Sequence, residues 1–161
     1  MGYLHRLCKG RTAMNIGIYF NNTSESEPLY KALQSVNEGL SEGTLRDASI
    51  FYDDSGPNSI PSKCGFFDAV ELWHFTGDLI TTSLSTTNKV RNIVNKFDTV
   101  FYYGWYDERD PLELIKVAND KNVKVVCNSQ TSKNQFTRLT GQEPDAVVQD
   151  FDLEKIIEVK K

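Results

Sequence analysis

This sequence of 161 residues is poor in cysteine, has no excess of basic charge and has no long apolar run. Each shortage excludes a class of function. Its three cysteines, Cys8, Cys64 and Cys127, are scattered, with no Cys-x-x-Cys pair. That excludes a disulfide framework and a cysteine-built zinc site, and fits free thiols in a reducing compartment. Cys127 closes an apolar run and is expected as a buried, inert thiol. No stretch approaches the roughly 20 apolar residues that span a membrane. Residues 1–13 carry Arg6, Lys9 and Arg11 without a continuous apolar core, so they are a poor signal peptide. They read as a flexible arm, or as an upstream start with Met14 as the true one. The formal net charge of −4 argues against general nucleic-acid binding.

Catalytic fingerprints are missing too. The loop after the first apolar run, Asn21-Asn22-Thr23-Ser24, contains no glycine, so its backbone approaches a pyrophosphate poorly. Its sequons read as loop polarity. No Walker loop, GxSxG elbow, HExxH or kinase signature occurs, which argues against nicotinamide dehydrogenases and P-loop enzymes. No cofactor and no metal site is expected.

What is present is alternation of strand and helix signals. The stretch from Asp98 to Asp152 is the most regular. Thr99 to Tyr103 is a β-prone run, and Asp110-Pro111-Leu112-Glu113 is a helix start with a capping Asp and an early Pro. Leu112, Ile115 and Ala118 give that helix one apolar face. Val123 to Cys127 is a second strand. Asn128-Ser129-Gln130-Thr131 offers N-caps, Phe136 and Leu139 share a face, and Gly141 is a helix stop. Ala146 to Val148 is a third strand.

The remainder follows the same pattern. Asn15 to Phe20 is a central strand, Pro28 to Leu40 a helix burying Leu29, Leu33, Val36 and Leu40, and Ala48 to Tyr52 a second strand. Asp53 to Lys63 is irregular. Phe67 to Phe75 is expected as the third strand, and Ile80 to Ser83 as a short strand or turn. Thr86 or Thr87 caps a helix carrying Val90, Ile93 and Val94, and Leu153 to Val159 is a final helix. The prediction is one α/β domain over 14–161, Rossmann-like and three-layered, with a mainly parallel sheet of five to six strands.

Parallel sheets bind ligands at the carboxyl ends of their strands, near the point where strand order reverses. The polar loops expected there supply the candidate ligand-binding residues: Asn21, Asn22 and Thr23; Gly77 and Asp78; Trp105 and Asp107; Asn128 and Ser129. His74, in Trp73-His74-Phe75-Thr76-Gly77-Asp78, reads either as a base at a strand end or as a histidine bonded to a loop carbonyl. Asp107 and Glu108 divide acid and base work or simply face solvent. Trp105 and Tyr106 stack on a sugar or base, or pack over a helix end. Asn128-Ser129 binds a phosphate or hydroxyl or caps a helix.

The run Lys124 to Lys133, with Thr140-Gly141 and Gln149-Asp150-Phe151-Asp152, resembles the end of the N-terminal Rossmann domain of GT-B glycosyltransferases. Leu72 to Thr82 and Val100 to Trp105 resemble glycosyltransferase-like proteins of large tailed phages. The resemblance spans most of Met14 to Leu153. It implies a transferase-like half-domain whose ligand is a nucleotide sugar or glycan, with His74 as an acceptor-side catalytic residue. GT-B enzymes hold the donor mainly in a second domain, and this chain ends where that domain would begin. The expectation is therefore a second subunit supplying the donor half. The alternative is a non-enzymatic structural or interaction protein, such as a virion component, packing through Trp73, Trp105 and Tyr106. The expected location is the cytoplasm, of the host if phage-encoded. A flavodoxin-like or receiver-like module is a third reading, resting on Asp53-Asp54.

Overall fold

The computed structural model describes residues 14–93 and 97–159; the arm over 1–13 and the apolar position Val94 lie outside the described residues. Chain order is β1 (Met14–Asn22), α1 (Glu27–Glu42), β2 (Leu45–Asp54), β3 (Gly65–Asp68), a 3₁₀ turn (Ala69–His74), β4 (Gly77–Thr81), α2 (Leu84–Arg91) and β5 (Phe97–Tyr103). There follow α3 (Pro111–Ala118), β6 (Val123–Cys127), α4 (Gln130–Thr140), β7 (Ala146–Val147), a 3₁₀ turn (Gln149–Phe151) and α5 (Leu153–Glu158).

Among the described residues all the strands join one sheet in the order β3-β2-β1-β4-β5-β6-β7, and every neighbouring pair is parallel. The expected α/β class holds, with seven strands instead of five to six. The order reverses between β1 and β4, which places a topological switch point there. This order differs from the 2-1-3-4-5 order of flavodoxin-like and receiver modules, so that reading falls.

Parallel crossovers cover both faces of a sheet with helices, and successive strand residues alternate between those faces. Ile16, Ile18, Phe20, Ile50, Ile80, Val100, Tyr102 and Val126 point to one face, under Leu29, Leu33 and Val36 of α1 and Ile156 and Ile157 of α5. On the other face, Phe101, Tyr103, Val125 and Cys127 meet Leu114 and Val117 of α3 and Phe136 of α4. Tyr19, Phe51 and Leu79 pack there with Leu72, Phe75 and Val90. Burial pushes the Cys127 thiol up to about 12, consistent with an inert core sulfur.

Three local expectations are corrected. Phe67 to Phe75 is not one strand, because the Asp68 carboxylate accepts from the Val70 N–H at 2.9 Å and turns the chain into the 3₁₀ segment. The central strand is instead Gly77–Thr81, whose residues from Asp78 onward are buried. The helix that follows is capped by Ser83, in a reciprocal capping box with Thr86, so it starts earlier than Thr86 or Thr87. In α3 the buried face is Leu114 and Val117, while Leu112 is 71% exposed. Asp110 caps α3 as expected, and Ser129 and Gly141 bound α4 as expected.

The β2–β3 crossover is the irregular loop, without a helix. Asn37 of α1 clips it in place, donating to the Pro61 carbonyl at 3.0 Å and accepting from the Lys63 N–H at 2.9 Å.

Candidate functional site

The carboxyl edge at the switch point gathers polar side chains from three strands. β1 delivers Asn21, half-buried at its end. β2 delivers Asp53, and the β4–α2 turn delivers Ser83 and Ser85. The Asn21 amide donates to Asp53 Oδ2 and to Ser85 Oγ, each at 3.2 Å, and its oxygen accepts from Ser83 Oγ at 2.7 Å. Tyr19 Oη donates to Asp53 Oδ1 at 2.5 Å, and Lys89 Nζ lies 2.8 Å from Asp53 Oδ2. Burial raises the Asp53 carboxyl, but hydrogen bonds from Lys89, Tyr19 and Asn21 outweigh it and hold it below the usual carboxylate range. Burial, with the Asp53 bond and charge behind it, pushes the Tyr19 hydroxyl well above its ordinary value.

The Thr81-Thr82-Ser83 and Thr86-Thr87 hydroxyls are what make this turn rigid, and all five residues are buried. Thr81 and Thr87 share a 2.7 Å hydrogen bond, and Thr82 donates to the Tyr19 carbonyl at 2.7 Å, stapling the tops of β4 and β1 together. Every buried hydroxyl here has a partner, which is the condition for burying it without a large penalty.

Asp107 and Glu108 part ways. Asp107 is exposed and pairs with Arg109 at 2.7 Å. Glu108 turns inward and accepts from the Leu84 N–H with both oxygens, at 3.0 and 2.9 Å, so a carboxylate sits on the N-terminus of α2. Burial raises its pKa and the Leu84 bond works against that.

The other candidates have structural employment. Asn22 Oδ1 accepts from the Ser24 N–H at 2.7 Å, closing a local turn. Thr23 is buried, its hydroxyl accepting from Gly56 N–H at 3.1 Å, which docks the first loop on the second. Ser129 caps α4. Asn128 packs on Gly104, where a Cβ would come within 2.1 Å of its Oδ1 and φ is 122°, so this approach requires glycine. It follows the third strand along from β1, so spacings of about 4.8 Å per strand leave it roughly 14 Å from Asn21.

His74, Gly77 and Asp78 do not converge with these groups. They precede or open β4, at the amino edge of the sheet, where Asp78 stands beside Ile16 and Asn15 donates to the Thr76 carbonyl at 2.7 Å. The five residues of β4, at about 3.3 Å each, put roughly 16 Å between the two edges. The reason is the strand boundary: His74 ends an exposed 3₁₀ turn before a strand, not after one. Trp105 is scaffold. Its ring stacks on Phe20 (centroids 5.9 Å apart, 19°) and on Phe151 (4.8 Å, 26°), and meets Tyr102 edge-on at 4.8 Å.

The site groups that the sequence did not single out are Tyr19, Ser83, Ser85 and Lys89, while Asp53 was weighed only for a receiver-like module and Glu108 only as a partner of Asp107. Asp53 and Ser83 were findable as the residues that end or follow strands β2 and β4. Among the described residues, no group of three or more His, Cys, Asp or Glu side chains could hold a metal ion, and no helix is long and apolar enough to cross a membrane. A groove of about 420 Å³ lies elsewhere, between α1 and α5, lined by Lys31, Glu38, Asp150 and Glu154. It has the volume but lacks the interlocked donors and acceptors of the switch point.

The fold and site together define an open parallel α/β domain with a cluster of polar side chains at the carboxyl edge of its switch point. Comparison with protein-family models, with curated proteins and with solved structures finds no match to this chain.

Proposed function

We propose that the chain is a Rossmann-like, glycosyltransferase-like domain that binds a hydroxyl-rich ligand, a glycan or the sugar of a nucleotide sugar, in the switch-point crevice. The observation that carries this is the convergence of Asn21, Asp53, Ser83, Ser85 and Lys89 on one carboxyl edge. An amide, a carboxylate, hydroxyls and an ammonium offer the mixed donors and acceptors that sugar hydroxyls require. The strand order and the sequence resemblance over Met14 to Leu153 support the same reading. His74 has no part in it as a catalytic group, since it stands at the opposite edge. A second subunit completing the nucleotide half belongs to the same proposal, because the one ammonium of this cluster, Lys89, is already paired with Asp53 and leaves no cation for a phosphate.

The test is an amide-shift titration with neutral oligosaccharides and with uridine and guanosine diphosphate sugars. Saturable shifts at Asn21, Ser83 and Ser85, lost in Asn21→Ala, are expected. No shift with any of these ligands would overturn the reading.

One observation favours a second reading, an interaction or particle protein. Phe67, Val70 and Trp73 are exposed together along edge strand β3 and the turn after it, at 44, 63 and 54%. Trp105 does not join that surface, because it is packed against Phe20 and Phe151. Sedimentation of the purified chain decides here: concentration-dependent association abolished by Trp73→Ser supports an interaction role.

A further inference from the structure

We infer that Asp53 is the specificity-determining residue of the switch-point cluster: by neutralising Lys89 it admits uncharged sugars and rejects acidic ones such as uronic acids. The inference rests on the reading of this cluster as a hydroxyl-binding site and names its substrate class.

Lys89 is the one cation bonded to the cluster among the described residues. Its ammonium lies 2.8 Å from Asp53 Oδ2, while Arg91, the other cation of α2, pairs with Asp120 at 2.6 Å. A ligand carboxylate reaches Lys89 only by lying against Asp53, and like charges placed together oppose binding.

The Asp53 carboxylate is held where it does this. Tyr19 Oη, on a buried residue, donates to Asp53 Oδ1 at 2.5 Å, and the Asn21 amide donates to Oδ2 at 3.2 Å. Asn21 is itself fixed, accepting from Ser83 Oγ at 2.7 Å and donating to Ser85 Oγ at 3.2 Å. Burial works against the charge, yet donors from Lys89, Tyr19 and Asn21 outweigh it and keep Asp53 ionised at neutral pH. The two partners are unequally placed, with the Asp53 side chain 20% exposed and that of Lys89 52%. The anion is therefore the fixed member of the pair.

The bonding capacity left over matches neutral hydroxyls. A carboxylate offers about four acceptor positions. Tyr19, Asn21 and Lys89 occupy all but about one of them, on Oδ1. Lys89 has protons beyond the one it gives Asp53, and the exposed Ser85 hydroxyl, an acceptor for Asn21, keeps its own proton to donate. A sugar hydroxyl both donates and accepts, so it can bond to Asp53 and Lys89 together. A uronate oxygen only accepts, so it satisfies Lys89 and sets a second anion against Asp53.

The experiment uses the full chain as wild type, Asp53→Asn, Lys89→Met and the Asp53→Asn/Lys89→Met double variant, with folding checked in each amide spectrum. Each is titrated with matched pairs, methyl glucoside against methyl glucuronide and methyl galactoside against methyl galacturonide, reading the Asn21, Ser83 and Ser85 amides. Wild type is expected to bind the neutral member of a pair about tenfold tighter than the acidic one, the scale of one charged hydrogen bond. Asp53→Asn frees Lys89 and should move that ratio toward the acidic member by about tenfold, where a merely structural Asp53 would weaken both members alike. The double variant should lose the move. Lys89→Met, which leaves Asp53 in place, should still prefer the neutral member, so the inference is tested even if Asp53→Asn does not fold. Equal binding of both members by wild type, a wild-type ratio in folded Asp53→Asn, a double variant that keeps the move, or a Lys89→Met protein without neutral preference overturns the inference and leaves hydroxyl binding standing. Absence of neutral-sugar shifts in wild type, with the acidic sugars binding to Asp53→Asn alone, overturns the hydroxyl-binding reading and leaves the exclusion of acidic ligands by Asp53 standing. No binding by any of the proteins overturns both.

Discussion

Replacing Trp105 by alanine separates scaffold from site most sharply. The indole is stacked on Phe20 and Phe151 and edge-on to Tyr102, and it closes the core face that carries α1 and α5. Three aromatic pairs at about 0.5–1.5 kcal/mol each give roughly 1.5–4.5 kcal/mol. Truncating a fully buried tryptophan costs about 3–5 kcal/mol. Trp105 is only half-buried, so the lower part of that range applies, and the expected loss is about 3 kcal/mol. For a domain of this size that lowers Tm by roughly 6–12 °C. Urea and thermal unfolding followed by far-UV circular dichroism measure it, and Trp105→Phe should recover about half. A loss below about 1 kcal/mol with abolished ligand binding would refute the assignment and make Trp105 a binding platform after all.

His74→Ala, at an exposed turn on the amino edge, is expected to change stability by no more than about 0.5 kcal/mol in urea unfolding and to leave ligand titrations unchanged. Asp53→Asn should weaken oligosaccharide binding in the same amide titrations. It should also remove an acid-labile contribution: the folded Asp53 pKa is depressed, so its stabilisation is present above about pH 4 and lost as pH falls through the folded value. Glu108 has the opposite sign. Its folded pKa is raised, so stability falls as pH rises from about 4.3 through the folded value, and Glu108→Gln should flatten that limb of a stability–pH curve. Asp150→Gly should be neutral or stabilise by up to about 1 kcal/mol in thermal unfolding. It relieves a left-handed φ of 56° at a cost in unfolded-chain entropy.

Much of the fold was legible because the local signals agree with the global plan. Asn15 to Phe20, Thr99 to Tyr103 and Val123 to Cys127 are apolar on both faces, as central parallel strands must be, and all three lie in the sheet. The caps at Asp110, Ser129 and Gly141 were readable from residue type alone. What misled was the stretch Phe67 to Phe75. It is richer in β-formers than Gly77 to Thr81, yet only the second is a central strand. Aromatic content reported a half-exposed edge with Phe67 and Trp73 outward, while the short run Leu79-Ile80 was enough to fill both faces at the centre. Residue type marks a strand less well than the helices available to cover it.

That one boundary decided the candidate site. Moving the strand from 67–75 to 77–81 transfers His74, Gly77 and Asp78 from the carboxyl edge to the amino edge. It brings Thr81-Thr82-Ser83 to the edge where chemistry is expected. Asn21 survives the move because it lies at the carboxyl end of β1, a strand expected over Asn15 to Phe20, and it is the one sequence-chosen residue that bonds to Asp53, Ser83 and Ser85. Glu108 shows the limit of reading residues in sequence pairs. Next to Asp107 it looks like half of a carboxylate dyad, but the Tyr106 carbonyl and Tyr103 hydroxyl turn its backbone so that the two side chains diverge. Its partner is the Leu84 N–H, 24 residues away in sequence and one strand across in space. A backbone donor carries no residue-type signature, so an acceptor matched to it becomes visible only when the strand order is known.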